Sequence, residues 1–258
     1  GLNLQSKTQI YFKERMANGH AIQNKILKKV LVSDYDQTFY INDEDIEKNK
    51  LAVSEFRKEG NIFVIATGRS YLDFNKKLKQ YDFDYDYVLI NHGATILDKS
   101  SNIFSNFSIN NEIILKIKKD LELEKSIENF CCSELESRVD FSHKNLTKIN
   151  VKYAFPEDAV RINKTINSKY ADFVNSYHIS YSSIEIITNK INKSKAIDLL
   201  LKRLGVSRDM VYVIGDGYSD VAMVKDYSGF CMKDSVDELK QIAKKEYNSV
   251  SELIEDVI

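Results

Sequence analysis

The stretch Val30-Leu31-Val32-Ser33-Asp34-Tyr35-Asp36-Gln37-Thr38 decides the fold. Residues 29–33 form a short β-branched and leucine-rich run, the pattern of a strand buried on both faces, and it closes on an acidic cluster. The next segments repeat the grammar. Ile46, Leu51, Val53 and Phe56 are spaced among charges at helical period, and Gly60 is placed to end that helix as a left-handed cap, so 46–59 is expected to be helical. A second apolar strand is expected over 61–66, ending at Thr67-Gly68-Arg69-Ser70, then a helix over 71–80 and a third strand over 87–90. Strand–helix alternation with polar residues at each strand's carboxyl end is the pattern of a parallel sheet covered on both faces. Such sheets bind ligands at those carboxyl ends.

Beyond Thr95 the pattern changes. Segments 95–97 and 103–107 flank Asp98-Lys99-Ser100-Ser101-Asn102, a hairpin signal rather than a crossover. A helix over 112–124, strands over 127–132, 148–155 and 178–188, and a helix over 156–170 opened by the single proline suggest an antiparallel α+β unit. Alternation resumes with a helix over 193–204 stopped by Gly205 and a strand over 210–214 that runs into Gly215-Asp216-Gly217-Tyr218-Ser219-Asp220. A strand near 229–232 and a helix over 249–258 close the chain. The expected architecture is therefore α/β: a doubly wound, Rossmann-like core in two parts, 28–106 and 189–258, interrupted by an α+β domain over 107–188 and preceded by an extension over 1–27.

Composition narrows the function. In 258 residues, 37 basic and 38 acidic side chains leave a net charge of -1, which argues against nucleic acid or an anionic membrane as the main partner. Three cysteines, two of them adjacent (Cys131 and Cys132, with Cys231), have neither disulfide nor zinc spacing and fit a reducing cytoplasm. The longest apolar runs fall far below the roughly 20 residues that cross a bilayer, and residues 1–27 mix charges with apolar side chains in a way unlike a signal peptide. Nine glycines are few, so each is expected where the backbone needs it.

Asp34 and Asp36 directly follow a strand, so both carboxylates are expected at one ligand-facing edge. Paired acids permit a divided role, one attacking phosphorus and the other, held protonated, giving a proton to the leaving oxygen. A solvated acidic turn is the simpler alternative. Asp216 and Asp220 end another strand at a spacing that shares a face if a helical turn begins there. Two pairs of acids at two strand ends suggest a hard divalent cation such as Mg²⁺, although helix-capping aspartates are the plainer account of the second pair. Thr67 and Gly68 offer a hydroxyl and N–H groups for an anion, or ordinary capping. Lys193 opens a helix as a point charge for phosphate, or as one more solvated lysine. The run Tyr81-Asp82-Phe83-Asp84-Tyr85-Asp86-Tyr87 reads as a loop leading into a strand rather than a Ca²⁺ ribbon, and the cysteines with His143 read as buried apolar groups rather than a thiol dyad.

In this chain order these four elements resemble the haloacid dehalogenase superfamily of phosphohydrolases. Asp34 to Thr38 looks like its first motif, Thr67 its second, Lys193 its third and Gly215 to Asp220 its fourth. The inserted domain, with Asn91-His92-Gly93-Ala94 before a hairpin, resembles the Cof-type subclass, whose α+β cap covers the site. The resemblance implies a Mg²⁺-dependent phosphatase acting on a small phosphorylated metabolite, a sugar phosphate or phosphorylated cofactor, through an aspartyl-phosphate on Asp34. It makes Asp36 the proton donor, Thr67, Gly68 and Lys193 the phosphoryl holders, and Asp34, the Asp36 carbonyl, Asp216 and Asp220 the metal set. Phosphotransferases such as phosphohexomutases share these motifs, and a non-catalytic binding or regulatory protein on the same scaffold is a further alternative. Three positions depart from the pattern: Gln37 replaces a usual glycine, Ser219 a usual asparagine, and His92 the asparagine that commonly precedes Gly-Ala.

Overall fold

A computed structural model describes residues 28–258; the extension expected over 1–27 lies outside the described residues. The first strand, β1 (Val30–Ser33), leads through the loop 34–42 to α1 (Asp43–Lys58). That helix starts three residues before its first apolar period, because Asn42 accepts from the Asp45 N–H and Asp43, Glu44 and Asp45 favour the positive end. Next come β2 (Ile62–Ala66), α2 (Tyr71–Tyr81) and β3 (Tyr87–Ile90), then the hairpin β4 (Thr95–Asp98) and β5 (Ile103–Asn106). The middle of the chain comprises α3 (Asn111–Asp120), β6 (Ser126–Ser133), β7 (Glu136–Val139), β8 (Lys148–Tyr153), α4 (Pro156–Lys169), β9 (Val174–Ile179) and β10 (Ser183–Thr188). The chain ends with α5 (Lys193–Leu204), β11 (Val211–Gly215), α6 (Val221–Asp226), β12 (Phe230–Met232), α7 (Asp237–Ile242), β13 (Glu246–Tyr247) and α8 (Val250–Val257).

Eight strands form one sheet in the order β13-β12-β11-β1-β2-β3-β4-β5, parallel from β13 through β3, with the β4–β5 hairpin added antiparallel at one edge. Its strands read as continuous apolar runs because both faces are covered. Val30, Val32, Val64 and Val213 pack with Ile197 and Leu200 on one side. Leu31, Phe63 and Ile65 pack with Ile46, Val53, Phe56 and Leu253 on the other. β1 lies between β2 and β11, where the winding reverses. Ser33 pairs with Ile65 on one flank and Ile214 on the other, so the three chains leave their strands at one level. That register brings Asp34, Gly68 and Asp216 to one crevice, with Thr67 buried beside Gly68.

The second sheet, β7-β6-β8-β10-β9, is antiparallel. Ile149, Val151, Ile184 and Ile186 project to one face and pack on Ile113, Ile117, Ala159 and Ile162 of α3 and α4. The expected single strand over 178–188 is instead two, β9 and β10, folded back at Ser180, whose φ of 53° makes the turn. No glycine or proline marks that turn, only the serines Ser180, Ser182 and Ser183 between two apolar stretches. The short β7, α6, α7 and β13 were likewise below the length at which periodicity is readable. The Tyr81–Tyr87 run turns its rings inward, with Phe83 and Tyr85 packed against Phe74, while Asp86 receives a two-point hydrogen bond from Arg57. Cys131, Cys132 and Cys231 are free and buried, and burial pushes the Cys131 thiol up to about 12. Among the described residues no helix is long and apolar enough to cross a membrane.

Candidate active site

The loop after β1 folds around its hydrophobic residues. Tyr35 and Phe39 are buried against Phe83 and Phe63, and with Tyr35 turned inward its neighbours Asp34 and Asp36 both reach the cleft. The Asp34 N–H continues the sheet to the Ile214 carbonyl at 3.0 Å, while Tyr40 and Thr38 donate their N–H groups to the Tyr35 carbonyl. Gln37 sits at the exposed tip with φ of 61°.

At the carboxyl edge of the sheet, Asp34, Asp216 and Asp220 bring carboxylate oxygens within 4.8 Å of one another. Lys193, 1% exposed, reaches up from the first turn of α5 and donates to Asp34 Oδ1 at 3.2 Å and Asp220 Oδ1 at 2.6 Å. Asn192 fixes that start by accepting from the Lys195 N–H. Asp220 Oδ2 takes the N–H groups of Asp216 and Gly217 at 3.0 and 3.1 Å, so this fully buried carboxylate braces the loop that carries Asp216. Thr38 Oγ1 donates to Asp216 Oδ1 at 2.9 Å. Gly215 is required here by space, since a Cβ would stand 2.4 Å from Asp220 Cγ.

Electrostatics follow from this crowding. Burial and the neighbouring Asp220 push the Asp34 carboxyl well above its ordinary range, against the pull of Lys193. Burial also raises Asp216. For Asp220 burial acts upward too, but Lys193 and the N–H donors outweigh it and hold the carboxylate low. Lys193 is raised because the two aspartates outweigh its burial. Hard oxygen donors, clustered with more negative charge than one lysine balances, suit a small divalent cation.

Other expected residues are placed differently. Both oxygens of Asp36 accept from Arg69, Nε and Nη2 each at 2.8 Å. Thr67 is buried; its Oγ1 accepts the Arg69 N–H at 3.0 Å, and Gly68 and Arg69 form the cleft wall beside it. His92 does not point freely at the cleft. It is 2% exposed, its Nε2 lies 2.8 Å from Glu185 Oε1, and its ring is 5.0 Å from that of Tyr177. Its ring also explains Gly68, where a Cβ would stand 2.3 Å from His92 Cε1.

The second sheet supplies residues that sequence reasoning passed over. Phe130, Asn150, Glu185 and Tyr177 stand in one cross-strand row on the face opposite its apolar core. Asn150 donates to Glu185 Oε2 at 2.6 Å, and the buried Lys148 donates to the Gly68 carbonyl at 2.6 Å while pairing with Glu185 at 3.1 Å. The Lys148–Gly68 and His92–Glu185 contacts join the two sheets beside a cleft of about 550 Å³. The available signal was a glutamate between Ile184 and Ile186 in a strand that must be half-buried. Arg69 was visible beside Thr67 and Gly68, but its partner was not.

The family model described as haloacid dehalogenase-like hydrolase matches this chain over residues 31–140 and 133–253. The 5-amino-6-(5-phospho-D-ribitylamino)uracil phosphatase YcsE of Bacillus subtilis is 25% identical over 225 residues, covering 83% of this chain and 88% of its own. An uncharacterized protein of Mycoplasma capricolum is 29% identical over 235 residues, covering 76% of this chain and 87% of its own. Among solved structures, a haloacid dehalogenase-like hydrolase from B. subtilis superposes with a TM-score of 0.76 at 16% identity, over 89% of this chain and all 100% of that one.

Proposed function

Because the chain belongs to the haloacid dehalogenase-like hydrolases, as a phosphatase of that superfamily, we propose that it hydrolyses a small phosphorylated metabolite with Asp34 as nucleophile. The observation that carries this reading is the convergence of Asp34, Asp216, Asp220 and Lys193 at adjacent strand ends. Asp34, Asp216 and the carbonyl of Asp36 would hold Mg²⁺, with Asp220 as the brace behind Asp216. When bound, Mg²⁺ offsets the charge of a phosphate dianion and so permits a carboxylate to approach it.

An Asp34 oxygen forms a bond to phosphorus as the bond to the leaving oxygen breaks, and Asp36 supplies that oxygen with a proton. Water then adds to phosphorus and returns a proton to Asp36, and the Asp34–phosphorus bond breaks to release inorganic phosphate. Arg69 must free at least one Asp36 oxygen for this transfer. Lys193, the Thr67 hydroxyl and the Gly68 N–H serve the phosphoryl oxygens. The unit over 107–188 acts as a cap between the core parts 28–106 and 189–258, excluding water from the cleft. Substrates of the sugar phosphate or phosphorylated cofactor class suit its volume, and the buried free thiols suit the cytoplasm.

Asp34→Asn is expected to cut phosphate release from a panel of phosphate esters, including 5-amino-6-(5-phospho-D-ribitylamino)uracil, by roughly 10³-fold or more with unchanged circular dichroism. Activity retained in that variant overturns the assignment. A hexose phosphate isomerised without net phosphate release replaces hydrolysis by transfer.

A further inference from the structure

Resting on the hydrolytic reading above, we propose that the cleft selects monoesters whose leaving group is neutral or cationic and disfavours those bearing a second anionic group, with Asp73 as the specificity-determining side chain. The argument starts from where the cations are. Arg69 and Lys148 line the cleft, and each is already matched. Both Asp36 oxygens engage Arg69, while Lys148 is buried between the Gly68 carbonyl and Glu185. Lys193 is held below by Asp34 and Asp220. Of the two histidines on this cleft, burial holds His92 below its ordinary value despite Glu185, and His178 Nε2 is engaged 3.1 Å from the Tyr181 carbonyl.

Asp73 is the converse case. It lines the same cleft from the first turn of α2, half-buried, and among the described residues its carboxylate makes no hydrogen bond or ion pair. A carboxylate or second phosphate on the leaving group would meet this charge, while the cations beside it already carry a carboxylate partner each. A hydroxylated or amino leaving group meets acceptors instead. Asp73 also sits where a carboxylate favours a helix start, so its test needs a readout that helix stability does not move. The ratio between esters is such a readout.

The esters glucosamine 6-phosphate, glucose 6-phosphate and 6-phosphogluconate present the same primary phosphate with cationic, neutral and anionic remainders. For the wild-type protein, kcat/KM for 6-phosphogluconate is expected at least tenfold below that for glucose 6-phosphate. Asp73→Asn is expected to narrow that gap at least threefold and to lower the glucosamine ester relative to glucose 6-phosphate. Equal efficiency for all three wild-type reactions, or a gap unmoved in the variant, overturns the charge preference while leaving hydrolysis standing. Calorimetric titration of the same esters into Asp34→Asn with Mg²⁺ present reads the order without turnover. The order kept with no phosphate released by the wild-type protein retains the preference and overturns hydrolysis; no binding and no release overturns both.

Discussion

Gln37 shows what a single backbone angle asks of a sequence. Its φ of 61° lies in the left-handed region, where a side chain costs about 1–2 kcal/mol and glycine costs little. The glycine expected at this position is thus a backbone requirement of the turn that aims Asp34 and Asp36, and this chain meets the turn with strain. Gln37→Gly is expected to raise unfolding stability by about 0.5–1 kcal/mol, the relief of strain being partly offset by a more flexible unfolded chain. Denaturant melts check this, and a lower midpoint would mean that the glutamine side chain holds the loop. Asn91, His92 and Gly93, with φ of 50°, 59° and 97°, form a second strained turn, and there it places the imidazole against Gly68 and Glu185.

At the scale of elements, β8 and β10 divide their faces by simple alternation. Isoleucines and valine go to the helices, and Lys148, Asn150 and Glu185 go to the core. Lys148 and Glu185 are both buried, so removing one charge strands the other. Glu185→Gln is expected to cost about 3–5 kcal/mol in denaturant unfolding, and a Lys148→Met, Glu185→Leu pair to recover most of it. A loss below about 1 kcal/mol for the single change would mean that water reaches Lys148. Helix α5 was legible to the residue, because Asn192 and Gly205 are strong start and stop signals on either side of an apolar stripe. The β9–β10 turn was not, because its only signal is the serine cluster Ser180, Ser182 and Ser183, without the glycine or proline that marks most tight turns.

For the whole molecule, charge sets two dependences. The first is on pH. Burial alone would raise Glu185, but Lys148 and His92 outweigh it and hold the carboxylate far below its usual range. A carboxylate depressed in the folded state contributes stability above its unfolded value, near 4.5, and that contribution is lost as pH falls through the folded value. Burial lowers His92 against the pull of Glu185, so the folded state prefers the neutral ring and loses stability as pH drops below about 6.5. Both act in one direction. Stability is expected to fall from about pH 6.5 downward and again below about pH 4.5, with the first step absent in His92→Asn; thermal melts from pH 8 to 4 follow it. The second dependence is on metal. Carboxylates of Asp34, Asp216 and Asp220 within 4.8 Å repel in the folded state, so saturating Mg²⁺ is expected to raise Tm by roughly 5 °C, reversed by EDTA and absent in Asp216→Asn. An unchanged Tm with and without Mg²⁺ counts against the metal set.

The order of the longer elements, the doubly wound α/β class, the acids at two strand ends and the Thr67 hydroxyl at a third were readable from the chain, because apolar period and turn residues are local properties that each segment carries with it. Only the tertiary structure decided which charges meet. Arg69 closes on Asp36 across 33 positions, Lys148 on Gly68 across 80, and His92 on Glu185 across 93. The first pairing depends on β1 lying beside β2, and the other two on how the sheets are docked; burial makes those two strong by removing the water that would otherwise screen them.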